Sequence, residues 1–295
     1  KDLTFCKLPV MLHSNKCVLS GLSMDQLSMK GESPYESGGY FIINGLEKIL
    51  VSQQATVTNM LYTHFHQVQN KKYTNISIDS VFKSSNVQPF SLKIDPETKL
   101  ISVSIQYIKG QLPLMLLLRA LGLETDKEIV ESICGDVDTS ESSQLFSRFS
   151  GYLIPNIKDI NGIDNQELAL KSLSLLTKVQ AVKKNSHWKE SLIYIVRTYL
   201  LPHLNVGGDN DYTFVSLRNK ATFIGLMARK LILTDMGVLK VNDLTSTIYS
   251  RVKLPGDLMT EMFREFFSKY KDDLHLKISY LLESNKNKEV AIING

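Results

Sequence analysis

The feature that most constrains the fold of this sequence is a change of hydrophobic period near residue 110. Upstream, residues 55–108 alternate polar and apolar side chains, most clearly in 74–78 and 100–107, and a period of two predicts half-buried β-strands. Downstream, residues 112–290 place apolar side chains three and four positions apart, which predicts amphipathic helices. The sequence therefore predicts an α+β fold of antiparallel strands plus helices.

The first 54 residues are rich in turns, and a hairpin is predicted among them. Two apolar runs, residues 40–43 and 49–51, flank the dipeptide Asn44-Gly45, which favours a tight reversal of the chain. The second run begins several residues after the dipeptide, so the turn type stays open.

Helix boundaries are signalled most clearly at Thr125 and Glu128. This spacing is typical of a capping box and predicts a helix that ends near Cys134, with Gly135 just beyond it. Four apolar stripes predict further helices whose apolar faces lie in the core: residues 168–179, 188–199, 224–232 and 262–270.

Charge is unevenly distributed along the 295 residues, whose formal net charge is +4. Residues 120–170 contain 3 basic and 10 acidic side chains, a balance of −7. An acidic middle with mildly basic flanks suits a protein that contacts polyanions with part of its surface, or one whose charges are merely solvated.

The motifs of catalytic sites are missing from the sequence. It has no phosphate-binding glycine loop and no nucleophile elbow, and its adjacent Asp272 and Asp273 have the pattern of a solvated helix face. His64 and His66 share one face of a predicted strand without a supporting ligand, and the three cysteines are widely spaced. The sequence predicts neither catalytic residues nor a metal site.

Cations beside flexible turns are the remaining candidates for a binding role. Lys48 follows Gly45 and Glu47 at the start of an apolar run, so its ammonium group can approach a phosphate. Arg251 and Lys253 lie in a stretch predicted to be irregular. These three residues are the predicted nucleic-acid contacts.

Several motifs carry a family resemblance, and they occur in a fixed order. They are KLPVMLHS (7–14), KCVL (16–19), GESPY (31–35), GGYFIING (38–45), EKILVSQ (47–53) and LPLMLLLRALG (112–122). In this order and spacing the chain resembles the second-largest, beta-like subunit of multisubunit DNA-directed RNA polymerase, of the eukaryotic, archaeal or large-DNA-virus type. Since the chain also lacks an initiator Met, we expect it to be a segment of a longer protein.

The resemblance implies a domain organisation. The family's protrusion domain is split in sequence by an inserted lobe domain of mixed α and β structure. Here this implies the end of the first protrusion part at residues 1–54, the lobe at 55–254 and the returning protrusion at 255–295.

The chain departs from the family pattern at several positions. His13 replaces a usual Arg, Ser33 replaces a usual Cys, and the family's D-R-D-x-[FYL]-x-x-K-R loop is poorly kept in residues 241–253. Within that loop, only Asp243, Tyr249 and one of Arg251 or Lys253 can correspond to residues of the family pattern. This divergence favours a viral or otherwise fast-evolving polymerase.

The resemblance also implies a function. The segment would form one side of the cleft for DNA and the RNA–DNA hybrid. Nucleotidyl transfer, with its Mg²⁺ ions, would be supplied by other polypeptide, chiefly the largest subunit. Implied partners are the largest and smaller polymerase subunits and initiation and elongation factors, in the nucleus, or in the host cytoplasm or virion of a virus. The alternative is a lobe that docks transcription factors, for instance through residues 120–170, without contacting nucleic acid.

Overall fold

A computed structural model describes residues 7–293 of the chain, except 69, 83–86, 136–139, 161, 164, 177–187 and 206–213. The chain divides into two compact units. The split unit comprises Lys1–Thr56 with Ser250–Gly295, and the central unit comprises Val57–Tyr249. The helices and antiparallel strands of the described residues confirm the predicted α+β fold.

The helices and strands have the following bounds. In chain order they are α1 (Met24–Met29), β1 (Phe41–Ile43), β2 (Leu46–Lys48), β3 (Gln53–Thr56), β4 (Tyr62–Val68), β5 (Lys71–Ser80), β6 (Gln88–Ile94), β7 (Ile101–Ile105), β8 (Leu112–Pro113), α2 (Leu114–Ala120), α3 (Asp126–Cys134), α4 (Ser140–Asp159), α5 (Gln166–Leu176), α6 (Trp188–Thr198), α7 (Phe214–Asp235), β9 (Ser250–Lys253) and α8 (Pro255–Ile293). None of the described helices is both long and apolar enough to cross a bilayer.

The split unit contains a hairpin, a two-stranded ribbon and a long helix. Strands β1 and β2 form the predicted hairpin, but its second strand is 46–48 and not the predicted run 49–51. Two residues are enough for the turn because Asn44 and Gly45 both adopt left-handed backbone angles. Strand β3 pairs with β9 in an antiparallel ribbon.

Helix α8 shows where the predicted core was wrong. Its apolar stripe was predicted to be buried, but Phe266 is 61% exposed and Phe263 and Phe267 are 39% and 46% exposed. Aromatic rings contact one another along the helix, with Phe263 and Phe267 stacked at 5.9 Å between centroids. The stripe is exposed because no second helix or sheet in the described part of the split unit lies along it.

The central unit is an antiparallel sheet covered on one face by helices. Strands β4 to β8 are neighbours in sequence order. One face of the sheet is apolar and buried, with Ile76, Leu92 and Val103 side by side, and α7 packs against β5 and β6. The opposite face of the sheet is polar. Since the described helices pack on the apolar face, helices and strands share a single core.

Several predicted helix signals in the central unit are confirmed. Thr125 and Glu128 form the capping box at the start of α3, and Gly135, with φ +92°, follows its last residue. The apolar stripe of residues 224–232 lies within α7, and its members Ile224, Met227 and Leu231 are fully buried.

Asp235, at the end of α7, ties the sheet to two helices. Its carboxylate accepts hydrogen bonds from Thr74 Oγ1 at 2.6 Å, Tyr152 OH at 2.7 Å and Lys99 Nζ at 2.9 Å. Burial alone raises the pKa of Asp235, but these donors outweigh it, and the pKa falls below its ordinary value. The carboxylate is therefore more stable ionised in the folded protein than in the unfolded chain.

We expect Asp235→Asn to destabilise the central unit by about 2 kcal/mol at pH 7, because the ion pair is lost and an amide donor faces other donors. Since the folded pKa is lowered, this contribution is present above the unfolded pKa and disappears as pH falls through the folded value. Urea unfolding from pH 7 to pH 2 measures it. The exposed Asp159→Asn is the matched control, and an equal loss in both variants would contradict the prediction.

Candidate nucleic-acid interface

Lys48 is the last residue of β2 and is held in place by the hairpin ladder. It pairs in register with Phe41, which is 4% exposed. The tight Asn44-Gly45 turn fixes this register because its backbone twist matches that of the two strands. The backbone of Lys48 is thus fixed, while its side chain extends into solvent.

The side chain of Lys48 is exposed and forms no ion pair or hydrogen bond within the described residues. Its surroundings are acidic. The pKa of Tyr40 is raised, first by burial and then by the negative charges of Glu36, Glu47 and Glu32. Attraction of a polyanion at this hairpin would therefore come from direct contact with the lysine and not from a broad positive field.

Arg251 and Lys253 lie in β9, so the prediction of an irregular stretch was wrong. Lys253 pairs with Gln53 and Arg251 with Ala55 in register. The two cations are two positions apart in one strand and share a face of the ribbon. The strand places them together, which the sequence alone did not indicate.

Both β9 cations already interact within the chain. Lys253 Nζ lies 2.7 Å from Glu261 Oε1 on the second turn of α8. Arg251 Nη1 donates to the carbonyl of Ser250 at 2.8 Å. A phosphate would have to displace the Lys253–Glu261 pair, so Lys253 is a weaker candidate than Lys48.

The hairpin and the ribbon are close along the chain. Four residues separate Lys48 from Gln53, and an extended chain of that length spans at most about 18 Å. Because Gln53 faces Lys253 across the ribbon, the two lysine backbones lie within roughly 23 Å. One nucleic-acid strand is long enough to contact both.

The residues predicted to stand in for the family loop have structural contacts instead. Asp243 accepts hydrogen bonds from Thr245 N at 3.0 Å and Thr245 Oγ1 at 2.6 Å, and these bonds lower the pKa of Asp243. The Tyr249 ring packs edge-on against Tyr62, and its hydroxyl accepts from Asn242 Nδ2 at 2.7 Å. The loop is held as a turn against β4.

The described residues hold no group of three or more His, Cys, Asp or Glu side chains placed to bind a metal. His64 and His66 lie on one face of β4, as predicted, with Asn75 and Tyr73 opposite them. Asp272 and Asp273 are exposed on α8. The donor set here does not fit a pair of catalytic cations.

Three of the ten acidic residues at 120–170 form ion pairs on helix α3. Asp126 bonds to Arg119, Glu128 lies 3.5 Å from Arg218, and Glu131 lies 3.6 Å from Lys127. These pairs involve helix α3 and reduce the negative field of its surface. The acidic residues at 136, 138 and 164 lie outside the described residues.

Comparisons with known proteins agree along nearly the whole chain. The family model described as RNA polymerase beta subunit matches residues 1–294. The chain is 31% identical over 295 residues to DNA-directed RNA polymerase II subunit RPB2 of Encephalitozoon cuniculi, covering 98% of this chain and 24% of that protein. It is 29% identical over 291 residues to DNA-directed RNA polymerase II subunit 2 of Arabidopsis thaliana, covering 95% and 23%.

An archaeal relative shows a similar level of identity. The chain is 30% identical over 288 residues to DNA-directed RNA polymerase subunit Rpo2N of Methanocaldococcus jannaschii, covering 96% of this chain and 53% of that protein. The chain thus spans between about a quarter and about half of the length of these relatives.

Proposed function

The chain belongs to the RNA polymerase beta subunit family, and from this premise we propose that it forms one side of the nucleic-acid cleft of a DNA-directed RNA polymerase. The observation that carries the proposal is the family match to residues 1–294 together with an exposed Lys48 on a fixed hairpin, which has no ion pair in the part of the chain that the structure describes. The segment would act as a scaffold, and template-directed nucleotidyl transfer would belong to the assembled enzyme.

The two compact units support an assignment of domains within this proposal. The central unit, Val57–Tyr249, would be the lobe, and the split unit would be part of the protrusion. A chain that leaves one unit at Thr56 and returns to it at Ser250 has the connectivity of an inserted domain. Strand β9 would then belong to the protrusion, since it pairs with β3.

Mg²⁺ would be held outside this segment. Two-metal phosphoryl chemistry needs clustered carboxylates close to the transferring phosphate, and the residues described here offer no such cluster. The contribution of this chain would be phosphate contacts, by Lys48 first and by Arg251 and Lys253 to a smaller extent. Such contacts position nucleic acid without reading its sequence.

We expect Lys48→Ala to weaken binding of an RNA–DNA hybrid by the assembled polymerase and to reduce the slope of log K against log salt by about one contact. Lys48→Arg, which keeps the charge, should retain the slope. Lys171→Ala, an exposed lysine of α5, is the matched control. An unchanged slope for Lys48→Ala would remove this residue from the interface.

The docking alternative predicts a different result for the chain on its own. If the lobe serves only as a platform for transcription factors, the 295-residue chain should show no salt-dependent binding to duplex or hybrid. The internal ion pairs of α3 weigh against docking through residues 120–170. Titrating the chain with labelled hybrid at several salt concentrations separates the two functions.

A further inference from the structure

Strand β4 lies at the edge of the five-stranded sheet of the central unit. It pairs with β5 along one side, in an unbroken register from Tyr62 opposite Ser77 to Val68 opposite Lys71. An edge strand presents every second backbone N–H and C=O group away from the sheet. The outward side of β4 is therefore a row of hydrogen-bonding groups.

The contacts of Asn242 show which residues of β4 direct their backbone N–H and C=O groups away from β5. Thr63 N–H donates to Asn242 Oδ1 at 2.8 Å, and Asn242 N–H donates to the Thr63 carbonyl at 3.0 Å. Asn242 thus satisfies both outward backbone groups of Thr63, one with its own backbone N–H and the other with its side chain. By the alternation of an antiparallel pair, Phe65 and Gln67 have the same outward orientation.

Beyond Asn242 the outer edge is open. Among the described residues, the outward backbone groups of Phe65 and Gln67 have no hydrogen-bond partner. The side chains there are accessible, with Phe65 42% and Val68 39% exposed. Strand β4 contains neither a proline nor a β-bulge, two of the devices that protect sheet edges.

The surroundings of this open edge are positively charged. Lys72 Nζ lies 3.6 Å from the centre of the Phe65 ring, and Lys93 Nζ lies 3.6 Å from that of Tyr73. Lys71 is nearby and pairs with Glu97.

We propose that the β4 edge binds an extended, acidic segment of a partner polypeptide by β-strand addition. Backbone hydrogen bonds to Phe65 and Gln67 would give affinity, and Lys72 would favour acidic side chains. The charge disfavours a second copy of this chain, because pairing β4 with β4 brings two positively charged edges together. The site lies in the central unit and does not depend on nucleic-acid contact by Lys48.

The proposal is tested with a variant that alters a single outward donor. Gln67→Pro removes an N–H that faces away from β5 and leaves the ladder with β5 intact, since proline is tolerated at such edge positions. Gln67→Ala keeps the N–H and is the matched control. The probe is a capped heptapeptide of alternating valine and glutamate, titrated into the 295-residue chain by calorimetry.

We expect the peptide to bind the unaltered chain and Gln67→Ala within about twofold of each other, and Gln67→Pro at least about tenfold more weakly. Lys72→Glu should also weaken binding, whereas Lys171→Glu, with the same charge change on α5, should not. Residue-resolved hydrogen exchange should show the amides of Phe65 and Gln67 protected only when the peptide is bound.

A second probe covers the case in which Gln67→Pro fails to fold. The same peptide with every amide N-methylated offers no N–H donor to β4, so it should not bind the unaltered chain. Equal binding of the two peptides, equal binding by the Pro and Ala variants, or no binding at about 1 mM peptide would each overturn the proposal. So would a chain dimer that Gln67→Pro converts to monomer.

Discussion

Replacing Gly225 by alanine is expected to destabilise the central unit by at least about 3 kcal/mol. Gly225 lies in α7 where this helix crosses α3, and a Cβ atom there would lie 2.3 Å from the carbonyl oxygen of Ser132. Backbone cannot move aside by changing a rotamer, so the two helices would have to separate. Separation would open the well-packed layer that contains Ile129 and Ile224, both fully buried.

Gly151→Ala is the matched control for this prediction. Gly151 is an exposed residue of α4, and a Cβ atom there meets nothing within 4 Å. Alanine should therefore stabilise α4 by up to about 1 kcal/mol, because it restricts the unfolded chain and favours helix. Urea unfolding of both variants gives the comparison. A Gly225→Ala protein within about 1 kcal/mol of the unaltered chain would mean that α3 and α7 do not approach as closely as described.

Local patterns in the sequence were sufficient for most elements of the central unit. Alternation in residues 74–78 and 100–107 predicted β5 and β7, and the stripe in residues 224–232 predicted α7. These predictions succeed because burial on one face of a strand or helix leaves a period that can be read within a few residues. The capping box at Thr125 succeeds for the same reason, since both partners lie within one turn.

Long-range pairing could not be predicted from such patterns. Gln53 and Lys253 are partners across the β3–β9 ribbon although 200 positions separate them, 253 minus 53. Nothing in the local sequence of residues 250–253 indicates a partner so far away, so Arg251 and Lys253 were assigned to an irregular stretch. The Lys253–Glu261 ion pair was missed with it.

The stripe of α8 illustrates a different limit. Periodicity shows that one side of a helix is apolar, but it does not show what covers that side. Phe266 and Tyr270 therefore fitted the pattern of a core and yet are about half exposed. The candidate site is affected in the same way. The residue type and position of Lys48 follow from the sequence, whereas its lack of an ion pair among the described residues is seen only in the fold.

Lys220 should make the stability of the central unit unusually sensitive to pH. It lies in α7, is 1% exposed, and donates from Nζ to the carbonyl of Val196 at 3.0 Å near the end of α6. Burial, and secondly the charge of Arg197, lower the pKa of Lys220 to about 7. The neutral amine is thus favoured in the folded protein, whereas the unfolded chain keeps the ammonium form.

The sign of the pH dependence follows from this difference. Between the folded pKa and the unfolded value near 10.4, the unfolded chain binds more protons, so stability rises with pH. From pH 7 to pH 9.5 this residue alone should add about 3 kcal/mol to the free energy of unfolding. Below pH 7 the folded protein also takes up the proton, and the full penalty of burying the charge remains.

We expect Lys220→Met to remove this increase, because methionine fills a similar volume without a titrating group. Urea unfolding at pH 7 and pH 9.5 measures how much the free energy of unfolding rises with pH. The rise should be about 3 kcal/mol smaller in Lys220→Met than in the unaltered chain, whereas the exposed Lys171→Met should keep the full rise.

His203 provides a second readout. Burial lowers its pKa, and the charge of Lys220 lowers it further, so its imidazole should titrate at higher pH in Lys220→Met. Identical pH dependence in Lys220→Met and the unaltered chain would contradict the lowered pKa of Lys220. An unmoved His203 would show that the Lys220 charge does not act on the imidazole.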